Sequence, residues 1–201
     1  MMFSLIFTLF LLHPATDTVW DLKKDKSGIE IYTRAVQGSS FNEFKGITVI
    51  RDISLNTVLD VILDVKNYGN LFPDCMNPKI LKQEGKWYDI HYIQTEGPFP
   101  VKDRDSVFEQ KTVIGKEGKH AMVYLNPLPD YIPENQDMVR VRKGSGFWEL
   151  EEDTDGNVRV IYQFHGEPGG EIPSWLANTF VVTHPFKVLE NLKNITKTLG
   201  K

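Results

Sequence analysis

Cysteine is almost absent from this chain, which contains only Cys75 among its 201 residues. A single cysteine excludes an internal disulfide, and the sequence has no CxxC pair or Cys/His array of the kind that binds zinc. A chain of this length buries about 70% of the surface that its unfolded form exposes. It therefore needs neither a disulfide nor a metal to fold, and we interpret Cys75 as a half-buried structural thiol.

The chain also lacks an excess of positive charge. It has 23 Lys and Arg against 27 Asp and Glu, a formal net charge of −4. Binding to nucleic acid requires clustered basic residues that neutralise phosphates, and a polybasic membrane anchor requires the same. We therefore predict neither a nucleic-acid partner nor an electrostatic membrane anchor.

Motifs of catalysis and metal binding are missing as well. The five histidines show no HxH, HxxxH or HExxH spacing, and Ser145 does not lie in a GxSxG nucleophile elbow. We predict no catalytic residue, no metal site and no cofactor.

The apolar run at the N-terminus, residues 3–12, is too short to span a bilayer, which takes about 20 apolar residues. His13 and Pro14 end the run, and the small residue Ala15 follows. This pattern predicts a secretory signal peptide over residues 1–16, a single domain over residues 17–201, and export to the periplasm or the medium. An uncleaved membrane tether and a buried N-terminal segment of a cytoplasmic protein are the alternatives.

Most of the remaining chain has the pattern of β-strands. Short alternating or β-branched runs are separated by turn signals, which favours an antiparallel meander, because no helices of crossover length lie between them. The predicted strands are 19–24, 29–34, 44–50, 79–83, 86–95, 106–114, 120–125, 138–143, 146–151 and 158–165.

Two segments have helical periodicity. Ser54 is a predicted N-cap, followed by an apolar face that includes Val58 and Ile62. A longer amphipathic helix is predicted from about residue 173 to the end of the chain. We expect Pro185 to kink or interrupt this helix, because proline removes a backbone donor and clashes one turn back.

Four segments, taken in order, resemble a known family. They are 20–34, then 44–46 with the helix at 61–68, then 98–105 (Pro-Phe-Pro-Val-Lys-Asp-Arg-Asp), and 166–178 (Gly-Glu-Pro-Gly-Gly-Glu-Ile-Pro-Ser-Trp-Leu-Ala-Asn). Together they resemble the StAR-related lipid-transfer (START) domains of the helix-grip, Bet v 1-like superfamily. The resemblance spans residues 20–199.

The resemblance implies an α+β helix-grip fold, in which a curved antiparallel sheet wraps around a long C-terminal helix. An apolar tunnel between sheet and helix would hold one lipid or other apolar molecule. The matching gate is the loop at 96–103, together with the helix. We expect a monomer that makes transient contact with a membrane.

Several residues are candidates for the ligand site. Arg104 matches the arginine of the family's Arg-Asp pair, and it would bind a lipid head group or form a structural ion pair with Asp89 or Asp105. His91, on the same strand face as Asp89, is a candidate general base, ligand contact or core residue. Aromatic residues that would line the tunnel, or simply form core, are Tyr124, Trp148, Tyr162, Phe164, Trp175 and Phe180.

Three functions follow as hypotheses. The first is non-catalytic binding, transfer or sensing of a lipid. The second is a helix-grip enzyme of the cyclase, dehydratase or hydrolase kind, in which His91 with Asp89 or Arg104 performs acid–base chemistry on an apolar substrate. The third is an interaction module whose cavity is filled by its own side chains.

Overall fold

The computed structural model describes residues 19–199 except 98, 116, 171 and 173; for residues 174, 175 and 177–179 it describes the backbone only. The predicted signal peptide and the domain boundary after residue 16 lie outside the described residues. No helix among the described residues is long and apolar enough to cross a membrane.

One antiparallel sheet forms the body of the molecule, with a strand order of β1-β2-β3-β10-β9-β7-β6-β5-β4. A tenth short strand, β8, pairs in parallel with β6. The strands are β1 (Asp21–Lys26), β2 (Ile29–Arg34), β3 (Glu43–Ile50), β4 (Cys75–Gln83), β5 (Tyr88–Thr95), β6 (Arg104–Ile114), β7 (His120–Pro127), β8 (Val139–Arg140), β9 (Lys143–Glu152) and β10 (Val158–Glu167).

The described residues also form three α-helices, α1 (Leu55–Leu63), α2 (Tyr68–Leu71) and α3 (Ser174–Leu199), and a 3-10 turn at Val65–Asn67. Ser54 is the N-cap of α1, as predicted, and its hydroxyl accepts a hydrogen bond from the Thr57 backbone N–H at 3.2 Å. The curved sheet with its C-terminal helix confirms the predicted fold class.

The core lies between the concave face of the sheet and the helices. The second half of α3 contributes Phe186, Val188, Leu189 and Leu192 to this core. On the opposite face of the sheet, Ile90, Tyr92 and Val107 form a smaller cluster, against which Leu128 and Ile132 pack. Alternate side chains of β5 and β6 therefore point to opposite faces of the sheet, and each face has its own hydrophobic cluster.

One predicted strand was wrong. The segment 138–143 is not one strand, because β8 stops at Arg140 and β9 begins at Lys143. The buried Arg140 guanidinium pairs with Asp105 at 2.8 and 2.9 Å and holds β8 against β6.

Pro185 lies inside α3, where the sequence predicts a kink or an interruption. It does not interrupt the helix, which continues through it from Ser174 to Leu199. The loss of one backbone hydrogen bond, about 3 kcal/mol, is offset by the burial of the helix in the core.

Gly146 on β9 allows the ring of Phe164 on β10 to lie against the sheet. A Cβ at Gly146 would lie 2.6 Å from Cδ2 and 2.8 Å from Cα of Phe164, and it would also meet the Gln163 carbonyl oxygen. We expect Gly146→Ala to lower the free energy of unfolding by about 1–3 kcal/mol, because the contacts are with backbone that has no room to move. Urea denaturation measures the effect.

The matched control is Ser145→Ala, since Ser145 is exposed and lies next to Gly146 on the same strand. That change should stay within about 0.5 kcal/mol of the unaltered protein. Equal stability of the two variants would contradict the close approach of Phe164 to Gly146.

Candidate functional site: a cavity between the sheet and the first half of α3

A cavity of about 220 Å³ lies between the concave face of the sheet and the N-terminal half of α3. Ligand pockets commonly occupy about 300–1,000 Å³, so this space lies just below that range. Its walls are mainly apolar and aromatic. This cavity argues against the hypothesis of an interaction module whose own side chains fill the space between the sheet and the helix.

Neighbouring strands supply one wall by their alternation. Residues opposite each other in an antiparallel pair share a face, and the register pairs Thr95 with Arg104, Ile93 with Ser106, and His91 with Phe108. All six of these side chains line the cavity. The ladder continues to Asp89 and Gln110, which are buried beyond the cavity wall.

The helices and loops supply the opposite wall. Phe72 and Cys75 come from the segment around the end of α2, whereas Phe180, Val181 and His184 come from α3. His184 lies 3.2 Å from the Asp74 carboxylate and stacks on the Phe72 ring. These contacts join α3 to the segment that follows α2 at the cavity wall.

Arg104 lies at the start of β6, with 6% of its surface exposed. Its guanidinium donates to the carbonyl of Lys102 and, at 3.4 Å, to that of Gly169. Burial lowers the pKa of Arg104, and the nearby Asp103 opposes that shift. Because arginine does not lose its proton in proteins, Arg104 brings a positive charge to the cavity wall.

Neither predicted partner pairs with Arg104, so that part of the prediction was wrong. Asp105 points to the other face and binds Arg140, whereas Asp89 binds His91 and Gln110. Within the part of the chain that the structure describes, no carboxylate oxygen lies within 4.0 Å of the Arg104 guanidinium.

A second polar group of the wall is His91, which is 2% exposed. Its Nδ1 lies 2.7 Å from the Asp89 carboxylate. Asp89 also accepts a hydrogen bond from the Gln110 amide at 2.7 Å, and Tyr68 donates to the Gln110 carbonyl oxygen at 2.8 Å. Burial raises the pKa of Tyr68 well above its usual range, so its hydroxyl keeps its proton.

The aromatic candidates separate into different places. Tyr162, Phe164 and Phe180 line the cavity. Trp148 is buried in the core, where it stacks on Tyr162 at 4.0 Å, and it is not part of the wall. Tyr124 lies on the convex face with 39% exposure, because the inward positions of β7 are Ala121, Val123 and Leu125.

The side chain of Trp175 lies outside the described residues. Contact with a ligand remains a prediction for Arg104, His91, Tyr162 and Phe180, all of which lie in the wall. Residues that the sequence reasoning missed include Phe72, Cys75, Ser106 and His184. The two-residue period of β6 could have identified Ser106, because Arg104 had already been chosen on the same strand face.

Known proteins with a similar sequence and fold indicate the family of this chain. A family model described as "polyketide cyclase / dehydrase and lipid transport" matches residues 52–193. The crystal structure of a STAR-related lipid transfer protein from Xanthomonas axonopodis is 36% identical with a TM-score of 0.80, covering 89% of this chain and 98% of that one. The chain therefore belongs to the START branch of the polyketide cyclase/dehydrase and lipid transport family.

Two further relatives are similar over most of their length. An uncharacterized protein of Pseudomonas aeruginosa is 38% identical over 180 residues, 87% of this chain and 85% of the relative. Human phosphatidylcholine transfer protein is 26% identical over 162 residues, 79% of this chain and 75% of the relative. Similarity thus extends across the sheet, the cavity and α3 together.

Cys75 offers a reporter for this cavity, because it lines the wall and is the only cysteine of the chain. Burial raises the pKa of its thiol to about 11. Only the thiolate reacts, so at neutral pH we expect alkylation by iodoacetamide on the order of 100-fold slower than in the urea-unfolded chain. The alkylation rate should rise as the pH approaches the thiol pKa. Mass spectrometry of the alkylated protein measures this rate.

A ligand that occupies the cavity should slow this alkylation further. The unfolded chain is the internal control, because it exposes the same thiol. Equal rates for folded and unfolded protein at neutral pH would show that Cys75 does not lie in a buried wall.

Proposed function

We propose that this protein binds one lipid, or another apolar molecule with an anionic head group, in the cavity beneath α3. The observation that carries the proposal is Arg104, a buried guanidinium in a mainly apolar cavity. A buried charge is costly unless it is paired. A ligand phosphate or carboxylate would pair with Arg104, and guanidinium binds both groups with two parallel hydrogen bonds.

The apolar part of the ligand would bind to the remaining wall. Phe108, Tyr162, Phe164 and Phe180 offer large apolar surfaces. Burial of ligand surface contributes about 25 cal/mol per Å², before the costs of association. The name of the human relative, phosphatidylcholine transfer protein, supports a phosphate-bearing lipid as one source of the anion.

Entry and release would involve the loop 96–103. Glu96, the first residue of that loop, and Arg104, which follows its last residue, both line the cavity, so loop movement would open the space beside the head group. Phe99 in this loop is 97% exposed. An exposed aromatic ring next to a lipid cavity supports transient membrane contact during loading and unloading.

Export is the second part of the proposal. The support is the short apolar run at residues 3–12 and the small residue that follows it. In that setting the protein would bind lipid outside the cytoplasm.

Catalysis is the alternative function. It is favoured by the Asp89–His91 pair, which brings an oriented imidazole to an apolar cavity, and by the mention of cyclases and dehydrases in the family description. His91 would act as the general base of such a reaction. A bound molecule that is chemically altered on incubation would favour this alternative over binding alone.

The first test is native mass spectrometry of protein purified without detergent, followed by solvent extraction. We expect one bound molecule with a phosphate or a carboxylate, and the fragment masses will distinguish a phospholipid from a fatty acid. Arg104→Leu should weaken its binding by about 10- to 100-fold, because hydrogen bonds to charged groups contribute about 1.5–3 kcal/mol.

Arg104→Lys should give an intermediate loss, since lysine keeps the charge without the fork of donors. Arg142→Leu is the matched control, because Arg142 is exposed and pairs with Asp130 and Glu134. Unchanged lipid occupancy in Arg104→Leu, or a protein that binds no lipid from a broad panel, would refute the proposal.

A separate prediction concerns Phe99. Phe99→Ser should slow transfer of lipid between vesicles by about tenfold while leaving equilibrium lipid occupancy unchanged, because burying a phenyl ring in a membrane is worth about 1.5–3 kcal/mol. A fluorescent-lipid transfer assay measures the rate. Tyr131→Ser, at another exposed aromatic, is the control, and equal rates for both variants would remove Phe99 from the transfer step.

A further inference from the structure

A chain of buried polar side chains ends at the inner part of the cavity, away from the Arg104 head-group site. Its members are Tyr68, Gln110, Asp89 and His91, all of them buried. Head-group binding at Arg104 does not involve these four side chains. Buried polar groups are costly unless they are satisfied, so the direction of each hydrogen bond is informative.

The hydrogen bonds of this chain run in one direction. The Asp89 carboxylate can only accept, so the Gln110 group that faces its Oδ2 at 2.7 Å must be the NH₂. The Gln110 carbonyl oxygen then faces Tyr68, whose hydroxyl donates to it at 2.8 Å. A flipped Gln110 amide would place its oxygen against the carboxylate.

The same carboxylate determines the tautomer of His91. Its Oδ1 lies 2.7 Å from Nδ1 of the imidazole, so Nδ1 carries a hydrogen. The ring is held between Tyr68, edge-on at 5.3 Å, and Phe108 at 6.2 Å. Orientation of an imidazole by a carboxylate on one nitrogen prepares the other nitrogen for a partner.

His91 lines the cavity and its Nδ1 is occupied by Asp89, so Nε2 is the ring nitrogen left available to a molecule in the cavity. Among the described residues, the one hydrogen bond of the His91 ring is that between Nδ1 and Asp89. A polar atom of a side chain that is 2% exposed is therefore available in a mainly apolar cavity.

A hydroxyl is the ligand group that fits this atom best. Neutral imidazole with hydrogen on Nδ1 has a lone pair on Nε2, which accepts from a hydroxyl. Protonated imidazole donates from Nε2, and a hydroxyl also accepts. A carbonyl oxygen would satisfy only the protonated form.

The two polar positions are well separated along the cavity. His91 lies opposite Phe108 on β6, four residues beyond Arg104. A strand rises about 3.3 Å per residue, so the two levels are roughly 13 Å apart. A group bound at His91 would therefore belong to the apolar body of the ligand and not to its head group.

We propose that the Asp89–His91 pair is a hydroxyl-recognition subsite, and that the ligand is an apolar molecule with a hydroxyl in its apolar body as well as an anionic head group. This inference rests on the proposed function of the cavity. Asp89 acts as a positioning residue, with Gln110 and Tyr68 holding the carboxylate in place.

The experiment uses three probes that share a chain length: stearate, mid-chain hydroxystearate and α-hydroxystearate. The α-hydroxyl lies beside the carboxylate and so cannot reach His91 when the carboxylate is at Arg104. We expect the mid-chain compound to bind the unaltered protein about fivefold to tenfold more tightly than stearate, as one added hydrogen bond allows. The α-hydroxy compound should bind like stearate.

His91→Phe should reverse the preference for the mid-chain compound. Phenyl keeps the ring and the apolar wall but offers no acceptor, so the buried hydroxyl would lack a partner. The readout is the ratio of the two affinities within each variant, so that any change common to stearate and the mid-chain compound cancels. His120→Phe is the matched control, because His120 is the half-exposed first residue of β7, beside Glu149 and outside the cavity.

A second measurement uses the unaltered protein and does not depend on a variant that folds. Nitrogen-15 NMR of the imidazoles should show His91 with hydrogen on Nδ1, and the Nε2 resonance should shift with the mid-chain compound but not with stearate. This signature separates hydrogen bonding at His91 from a general effect of filling the cavity.

The outcomes separate the two proposals. Equal binding of stearate and the mid-chain compound, with no Nε2 shift, would overturn the hydroxyl subsite and leave the lipid-binding function standing. A preference that survives in His91→Phe would also overturn it. If no compound binds and no lipid is extracted from the purified protein, both proposals fall.

Discussion

The packing of the second half of α3 on strands β2 and β3 is the interaction on which the rest of the structure depends. Gly46 makes it possible, since a Cβ there would lie 2.7 Å from Cδ1 of Leu189. Leu189 and Leu192 are fully buried as a result. The first half of the same helix then extends over the concave sheet without filling it, and this leaves the cavity.

The division of α3 explains why Pro185 is tolerated within it. Before the proline, Phe180, Val181 and His184 face the cavity, whereas Phe186 begins the part that packs in the core. Tertiary packing stabilises a helix far more than local propensity does. One helix therefore completes the hydrophobic core with one half and covers a binding space with the other.

Neighbouring residues of a strand have different roles, because successive side chains point to opposite faces of the sheet. The sequence pattern identified most strands and the face shared by Asp89 and His91, and the family resemblance identified the fold and Arg104. It placed Asp105 and Asp89 as partners of Arg104, yet Asp105 faces the opposite side and binds Arg140. It also grouped Tyr124 with the cavity, although that ring is on the convex face. Sequence alternation defines faces within a strand but does not say which face is concave.

By itself, the sequence determined the order of strands and helices, the capped start of α1, and an amphipathic terminal helix, because those depend on local periodicity and turn chemistry. Only the tertiary structure decided which polar groups meet. Tyr68, Gln110 and the Asp89–His91 pair come together across the register of two strands and a short helix. Their contacts depend on the curvature and register of the sheet, which are set by packing among residues far apart in the chain.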